Sequence, residues 1–387
     1  MRHLRLLSVI LFICFCTAAW TQDKARLHFT LFDVPGAGTG TGQGTFSYAI
    51  TPDNWITGYF TDASNVAHGY LRAPDGKVTT FDVPKSVGTY VAAINAELTV
   101  VGAYVDAKGV VHGFERSFDG RIATFDAPGA GAAPGQGTCE WSINAWGEIS
   151  GNYLDSNDVV HSFVRDPGKT YVAFEAPGAG NQPYQGTVAD GNGGLTNLGI
   201  ISGAVTDSNG VNHGFLRMPD GAITEFDAPG AGSTPFSGLG TAPSTINQFN
   251  WIIGQYLDAN SVAHGFVRAP NGFIEGFEAA DAGTQPGQGT YGFTNNDKGA
   301  VVGVYFDSAW IYHGFVRTPQ GRIIEFDAPG AGSNPNTPSG TGPYWFGLPL
   351  PGQGTEVSSI NDNGAITGYV MDASSVVHGF VASLESK

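Results

Sequence analysis

Seven histidines and seven aspartates recur at one fixed spacing along the chain, and they are the first candidates for chemistry. Each histidine follows its aspartate by six residues, and a glycine stands four residues before that aspartate. A carboxylate beside an imidazole can act as a general base or as part of a metal site. The pairs are Asp62 and His68, Asp106 and His112, Asp155 and His161, Asp207 and His213, Asp258 and His264, Asp307 and His313, and Asp372 and His378.

The repetition argues against a single catalytic or metal centre. An active site is one asymmetric group of residues, whereas a scaffold contact recurs in every repeat. A zinc ion needs three or four ligands about 2 Å away, and histidines on separate sheets cannot meet at one ion. We therefore predict that each histidine hydrogen-bonds within its own repeat, and that the chain needs no cofactor and no metal. Calcium at the aspartate turns is the alternative, although these turns offer few of the oxygens that calcium requires.

Two further charged positions recur in the same register. An arginine stands four residues after each histidine except the last, where Ala382 replaces it, and an acid directly follows the phenylalanine that ends each unit. We predict that these arginines and acids form ion pairs within or between repeats. The arginines are Arg72, Arg116, Arg165, Arg217, Arg268 and Arg317, and the acids are Asp33, Asp82, Asp126, Glu175, Asp227, Glu278 and Asp327.

The histidines mark a longer unit that occurs seven times. Each unit holds four short stretches that alternate apolar and polar residues, separated by Gly, Pro, Asn and Asp, which is typical of strands joined by tight turns. Four strands at a period near 40 to 50 residues are typical of propeller blades. The sequence predicts an all-β, seven-bladed β-propeller with four-stranded blades, and the alternative is a β-solenoid.

The two ends of the repeated region favour the propeller. Residues 26–35 match the fourth strand of the unit, and the last unit stops after its third strand. Pairing residues 26–34 with 376–383 would complete the seventh blade and remove an unpaired edge, as a closed ring requires. We predict one domain over residues 23–387.

Residues 1–22 have a basic start, a short apolar run and small residues near a cleavage position, the pattern of a signal peptide. We expect export to the periplasm or beyond, with no membrane span after cleavage. Only Cys139 then remains, so no intrachain disulfide can form. The net charge of −16 disfavours nucleic acid, because an acidic surface repels phosphates.

The I-N-x-x-G-x-I-x-G and H-G-F motifs resemble those of the HAF-repeat family of exported bacterial repeat proteins across all seven units. The triplet is mostly His-Gly-Phe here, with His-Gly-Tyr at His68 and His-Ser-Phe at His161. The resemblance implies export and a repeated β fold. It implies no activity and no catalytic residues.

The leading functional hypothesis is a non-catalytic, monomeric binding or scaffold protein that presents one propeller face to a polysaccharide or protein. The alternative is an extracellular propeller hydrolase or lyase, which would need paired carboxylates outside the repeat pattern. Glu140, Glu148 and Glu356 break that pattern, but nothing in the sequence links them.

The longest connection between units contains three consecutive aromatic residues, and the preceding unit has two more near its second turn. We predict a ligand site there, on the face formed by the second-to-third-strand turns and the connections between blades. The alternative is that the aromatics cover the central channel. The candidate residues are Trp310, Tyr312, Tyr344, Trp345 and Phe346.

Overall fold

The structure is a computed structural model that describes residues 27–189, 194–235, 237–335 and 353–384. These residues form 28 strands and no helix, which confirms the all-β prediction. The predicted signal peptide lies outside the described residues. Within them, no helix is long and apolar enough to cross a membrane.

The strands fall into four positions that recur in the same order along the chain. The first strands are β2 (Gly44–Ile50), β6 (Gly88–Ile94), β10 (Gly137–Ile143), β14 (Gly186–Ala189), β18 (Gly240–Ile246), β22 (Gly289–Asn295) and β26 (Gly354–Ile360). The second strands are β3 (Ile56–Thr61), β7 (Val100–Val105), β11 (Ile149–Leu154), β15 (Ile201–Thr206), β19 (Ile252–Leu257), β23 (Val301–Phe306) and β27 (Ile366–Met371).

The third strands each contain the repeated histidine, and the fourth strands are shorter. The third strands are β4 (Ala67–Arg72), β8 (Val111–Arg116), β12 (Val160–Arg165), β16 (Asn212–Arg217), β20 (Ala263–Arg268), β24 (Tyr312–Arg317) and β28 (Val377–Leu384). The fourth strands are β5 (Val78–Phe81), β9 (Ile122–Phe125), β13 (Tyr171–Phe174), β17 (Ile223–Phe226), β21 (Ile274–Phe277), β25 (Ile323–Phe326) and, at the start of the chain, β1 (Leu27–Phe32).

Each set of four strands forms an antiparallel sheet, which we number as repeats 1 to 7 from the N-terminus. Repeat 1 comprises β2, β3, β4 and β5, and the next five repeats follow in chain order. In repeat 7 the strands β26, β27 and β28 are joined by β1, with Thr30 opposite Val381. The first strands of most neighbouring repeats also contact one another, including β2 with β26. The first strands therefore lie innermost.

A glycine allows successive sheets to approach closely. Gly137 at the start of β10 makes a parallel bridge to Val111 of the preceding repeat, and its φ is 126°. A Cβ at Gly137 would lie 1.8 Å from the carbonyl oxygen of Val111. Only glycine fits this conformation and this space, which explains the Gly-Gln-Gly-Thr motif that begins most repeats.

The core lies between the sheets. Phe266 in the third strand of repeat 5 is fully buried, as are its counterparts in the other repeats, where repeat 1 has Tyr70. In repeat 5 the preceding glycine leaves room for the fourth strand, because a Cβ at Gly265 would lie 2.4 Å from the ring of Phe277. Burying one such aromatic side chain contributes about 1.5–3 kcal/mol.

Asparagines at the ends of the first strands link one repeat to the next. Each donates a side-chain hydrogen bond to a backbone carbonyl in the following repeat, at 2.9–3.1 Å. The pairs are Asn95 with Asn144, Asn144 with Thr196, Asn247 with Asn296, Asn296 with Asn361, and Asn361 with Thr51. The last pair joins repeat 7 to repeat 1.

Candidate functional site

The seven histidines each lie between two carboxylates of their own sheet. In repeat 6, His313 Nδ1 lies 2.8 Å from Asp327 Oδ1 after the fourth strand, and Nε2 lies 3.6 Å from Asp307 Oδ2 in the second turn. The same contacts recur with Asp33, Asp82, Asp126, Glu175, Asp227 and Glu278. The acid after the phenylalanine is therefore the hydrogen-bond partner of the histidine.

Packing and backbone contacts also fix these groups. His161 stacks on Tyr153 with ring centroids 4.9 Å apart, and most other repeats pair the histidine with an aromatic ring in the same way. Asp155 Oδ1 accepts hydrogen bonds from the backbone N–H groups of Asn157 and Val159. The aspartate thus forms an Asx turn, in which one carboxylate oxygen is hydrogen-bonded to the backbone.

The electrostatics of the groups agree with a structural arrangement. The backbone N–H of Val66 is the main cause that lowers the pKa of Asp62. Burial lowers the pKa of His313, but its hydrogen bond to Asp327 and the nearby carboxylate charges outweigh burial and raise the pKa overall. The lowered pKa of Asp62 and the raised pKa of His313 each favour the charged form of that group.

Only some of the arginines make the ion pairs that the sequence suggested. In each of repeats 1 to 6 the guanidinium lies over the fourth-strand phenylalanine of the neighbouring repeat, with 4.3–5.3 Å between the guanidinium carbon and the ring centroid. Only two of these arginines, in the described structure, also meet a carboxylate: Arg165 pairs with Glu115 and Arg317 with Glu275. The acid after each phenylalanine is hydrogen-bonded to the histidine, so the arginine packs on an aromatic ring instead.

The three off-pattern glutamates do not form an exposed catalytic pair. Glu140 on β10 is fully buried, and burial raises its pKa well above the usual range. Glu356 on β26 is 9% exposed, and burial raises its pKa to about 8 although a hydrogen bond with Tyr369 opposes the shift. Glu148 Oε2 accepts a hydrogen bond from Asn144 Nδ2. Glu140 and Glu356 lie inside the protein, so neither is placed to meet a polymer at a face.

The predicted aromatic ligand residues fall into two groups. Tyr344, Trp345 and Phe346 lie outside the described residues. Tyr312 is 1% exposed and packs against Phe306, so it belongs to the core and is not available to a surface ligand, which corrects the prediction for this residue. Trp310 is half-buried, with its ring 5.9 Å from that of Phe306.

A different set of large apolar side chains is exposed. They lie in the first turns of repeats 3, 4 and 5, around the end of the innermost strands, on the face opposite to the predicted one. We call this set the apolar rim: Trp146, Leu198, Phe249 and Trp251, which are 70%, 68%, 62% and 41% exposed.

Hydrogen bonds between neighbouring turns hold the apolar rim. Trp146 Nε1 donates to the backbone carbonyl of Asn197, 3.0 Å away in the next repeat. The backbone N–H of Asn197 in turn donates to Gln248 Oε1 at 2.8 Å. The Trp146 indole is therefore fixed across the turn of repeat 4 while most of its surface faces solvent.

Aligning the repeats reveals a signal for the rim that sequence reasoning missed. Trp146, Leu198 and Phe249 occupy the third position of the first turn, where the other repeats have Asp53, Glu97, Lys298 and Asn363. Large apolar residues in an exposed turn of three successive repeats are unusual for a surface without a partner.

Among the described residues, no group of three His, Cys, Asp or Glu side chains is arranged to hold a metal ion. The absence of a cofactor therefore stays a prediction. Cys139 is buried and free.

No protein-family model matches the chain, and no curated protein matches it in sequence. Solved structures do share its fold. The BP39L lectin from Burkholderia pseudomallei matches with a TM-score of 0.50 at 12% identity, covering 90% of this chain and 96% of the lectin. One structure from a study of two prolyl endopeptidases also reaches 0.50, at 10% identity over 87% of this chain and 47% of its own.

A lectin from Aleuria aurantia, described as a six-bladed β-propeller, matches more weakly, with a TM-score of 0.42 at 12% identity over 72% of this chain and 92% of the lectin. At such identities these similarities concern the fold alone. The repeated four-stranded antiparallel sheets are themselves typical of the β-propeller class of folds.

Proposed function

We propose that this protein is an exported, non-catalytic β-propeller of seven blades that binds polysaccharide through the apolar rim. The blade count is supported by the grouping of the 28 strands in fours. Closure of the ring is supported by the pairing of β1 with β28 and by the hydrogen bond from Asn361 to Thr51. Export rests on the signal-peptide pattern of residues 1–22.

The apolar rim is the observation that carries the binding function. Aromatic side chains bury a large area when they stack on the C–H face of a sugar ring, and they lose little conformational entropy because they have few rotatable bonds. The bond from Trp146 to Asn197 fixes the indole before any ligand arrives. Such preorganisation strengthens binding, because less ordering remains to be done in the complex.

The negative net charge of the protein restricts the class of polysaccharide that the rim would bind. The chain has 34 acidic and 18 basic residues. A surface of this sign repels polyanions, so the rim suits a neutral or amine-bearing polymer better than a uronic-acid or sulfated one. The repulsion weakens with added salt, which screens exposed charges over about 10 Å at 0.1 M.

Polysaccharide retention by the full chain tests the proposal. The chain is screened on a glycan array and by affinity electrophoresis in neutral, amine-bearing and uronic-acid polymers. Trp146→Ala combined with Phe249→Ala is expected to weaken binding at least tenfold without lowering the melting temperature, because both side chains are exposed.

Phe118→Ala combined with Phe273→Ala is the matched control. Both residues are exposed aromatics that belong to the third turns and not to the rim, at 58% and 67% exposure. The proposal is wrong if the chain retains none of the polymers, or if the control pair weakens binding as much as the rim pair does.

A further inference from the structure

The junction between repeats 6 and 7 holds a cavity on the face opposite to the apolar rim. Its volume is about 540 Å³, and its walls include Leu31, Asp33, Pro329, Gly330, Asp372 and His378. These residues come from the connection that leaves repeat 6, the second turn and third strand of repeat 7, and the N-terminal strand β1. The cavity therefore lies on the face, and at the pair of repeats, where the sequence predicted a ligand.

Comparison of the junctions shows why space is left here. In the other junctions with a Pro-Gly turn, a side chain of the next repeat covers the glycine. A Cβ at Gly36 would lie 3.6 Å from Phe60, and Cβ atoms at Gly129 and Gly230 would lie 3.4 and 3.5 Å from Tyr153 and Tyr256. At the junction of repeats 3 and 4, Glu225 takes this place and accepts the N–H of Gly178 at 2.8 Å.

Among the described residues, repeat 7 has neither kind of cover. Val370 stands where Phe60, Tyr153 and Tyr256 stand, opposite the histidine, and Leu31 replaces the acid found at Glu225 and Glu325. Among the described residues, nothing lies within 4 Å of a Cβ built on Gly330. Within the described residues, the two side chains that cover this turn in other repeats are therefore replaced here by Val370 and Leu31.

The walls of the cavity combine two carboxylates with apolar side chains. Asp33 Oδ1 lies 2.8 Å from His378 Nδ1, and Asp372 Oδ2 lies 3.5 Å from its Nε2. Asp372 Oδ1 already accepts two backbone N–H groups, but the Asp33 side chain is 58% exposed and its Oδ2 faces no protein donor in the described structure. Leu31 and Pro329 add apolar surface. Two carboxylates beside an apolar wall suit a ligand with a cationic group, hydroxyls and a C–H face.

We propose that this cavity binds a sugar unit carrying a free amine, with the ammonium group at Asp33 and Asp372 and the C–H face of the ring on Leu31 and Pro329. The choice of a sugar rests on the proposed polysaccharide-binding function. A negatively charged sugar is disfavoured, because it would bring a third carboxylate to the same place.

Calorimetric titration of the full chain tests the site with four probes: glucosamine, glucose, glucuronate and cyclohexylamine. Glucosamine is expected to bind at least fivefold more tightly than glucose, and glucuronate is expected not to bind. Equal binding of cyclohexylamine would show that the cavity recognises an amine alone and would overturn the assignment of a sugar.

Two variants connect binding to the cavity. Val370→Tyr inserts the ring that repeats 3, 5 and 6 already have at this position, and is expected to abolish glucosamine binding. Asp33→Asn removes the exposed charge without changing the side-chain shape, and is expected to weaken binding at least fivefold. The matched controls are Val205→Tyr in repeat 4, where Glu225 already covers the turn, and Asp82→Asn in repeat 1.

The outcomes separate this inference from the proposed function. If polysaccharide is retained through the rim but glucosamine does not bind, or binds equally well to both cavity variants, the cavity assignment is wrong and the function stands. If glucosamine binding depends on Asp33 and Val370 but no polymer is retained, the cavity stands and the rim proposal is wrong.

Discussion

Asn361 in repeat 7 donates a hydrogen bond from Nδ2 to the backbone carbonyl of Thr51 in repeat 1, at 2.9 Å and across 310 positions of sequence. The equivalent bonds elsewhere join repeats that are adjacent in the chain, such as Asn95 Nδ2 to Asn144 O at 3.1 Å. The last repeat therefore meets the first through the contact that joins successive repeats.

This relationship predicts the effect of Asn361→Ala. The variant loses the bond to Thr51 and the turn bonds to Asn363 and Ala365, and we expect it to lower the free energy of unfolding by about 1–3 kcal/mol. Asn95→Ala is the control, because it breaks the same kind of contact between chain neighbours. Urea unfolding should give similar losses, whereas a negligible loss for Asn361→Ala alone would argue against a closed ring.

Deleting Asp23 to Val34 tests closure more severely. The deletion removes β1, leaves β28 with an unpaired edge, and takes away Val34, which is buried and bonded through its N–H to Thr45 Oγ1. We expect a melting temperature lower by at least 10 °C and concentration-dependent aggregation, because exposed strand edges pair with other chains. Trimming Ser386 and Lys387 should change little, and an unchanged melting temperature in the deletion would contradict closure.

The repeated histidines should contribute to stability unequally. His264 bonds to Glu278 and stacks on Tyr256, whereas His213 bonds to Asp227 and lies opposite Val205. We expect His264→Ala to cost about 2–3 kcal/mol and His213→Ala about 1–2 kcal/mol, since only the first also loses a ring contact. Chemical unfolding measures the difference. A normally stable His264→Ala protein that no longer binds polysaccharide would instead assign the histidine to the ligand site.

Most of the fold could be predicted because the sequence repeats. The columns of Gly, Asp and His placed the third strand of repeat 7 to within one residue, because residues 376–383 were expected and Val377–Leu384 is observed. Contacts between repeats were harder to predict. The partner of Arg116 is Phe81 of the preceding sheet, and spacing along one unit says nothing about which side chain the neighbouring sheet presents.

Whether each candidate site could be predicted depended on the same distinction between features of one repeat and contacts between repeats. The rim residue Phe249 could have been found, because its column is polar in other repeats. The cavity could not have been found in this way. The sequence does not show that the side chain at the position of Val370 covers, in other repeats, the Pro-Gly turn that corresponds to Gly330. Tyr312 was misassigned because it begins β24 and points into the core, although it lies two residues after the exposed turn.

The corrected position of Tyr312 gives a direct test. Because its side chain is 1% exposed, Tyr312→Ala should lower the free energy of unfolding by about 3–5 kcal/mol. Trp146→Ala, which removes a larger but 70% exposed side chain, should change it by less than about 1 kcal/mol. Urea unfolding of both variants gives the comparison, and equal losses would mean that the core assignment of Tyr312 is wrong.

The raised pKa of Glu356 predicts how the folding stability of the protein depends on pH. Burial raises its pKa in the folded protein from 4.5 to about 8. Below pH 4.5 both the folded and the unfolded states carry the proton, so the residue costs nothing. Between pH 4.5 and about 8 the unfolded state releases the proton while the folded state keeps it, so folding stability falls as pH rises.

Glu356→Gln removes this titration and keeps the shape of the side chain. One pKa unit corresponds to about 1.4 kcal/mol, and relaxation around a buried charge reduces the full effect, so we expect the variant to be roughly 1–3 kcal/mol more stable than the parent at pH 9. At pH 5 the two proteins should differ by less than about 1 kcal/mol. Urea unfolding at pH 5, 7 and 9 measures the difference, with Glu97→Gln in an exposed turn as the control for loss of a charge. A constant difference between Glu356→Gln and the parent at all three pH values would show that Glu356 ionises normally despite its burial beside Tyr369.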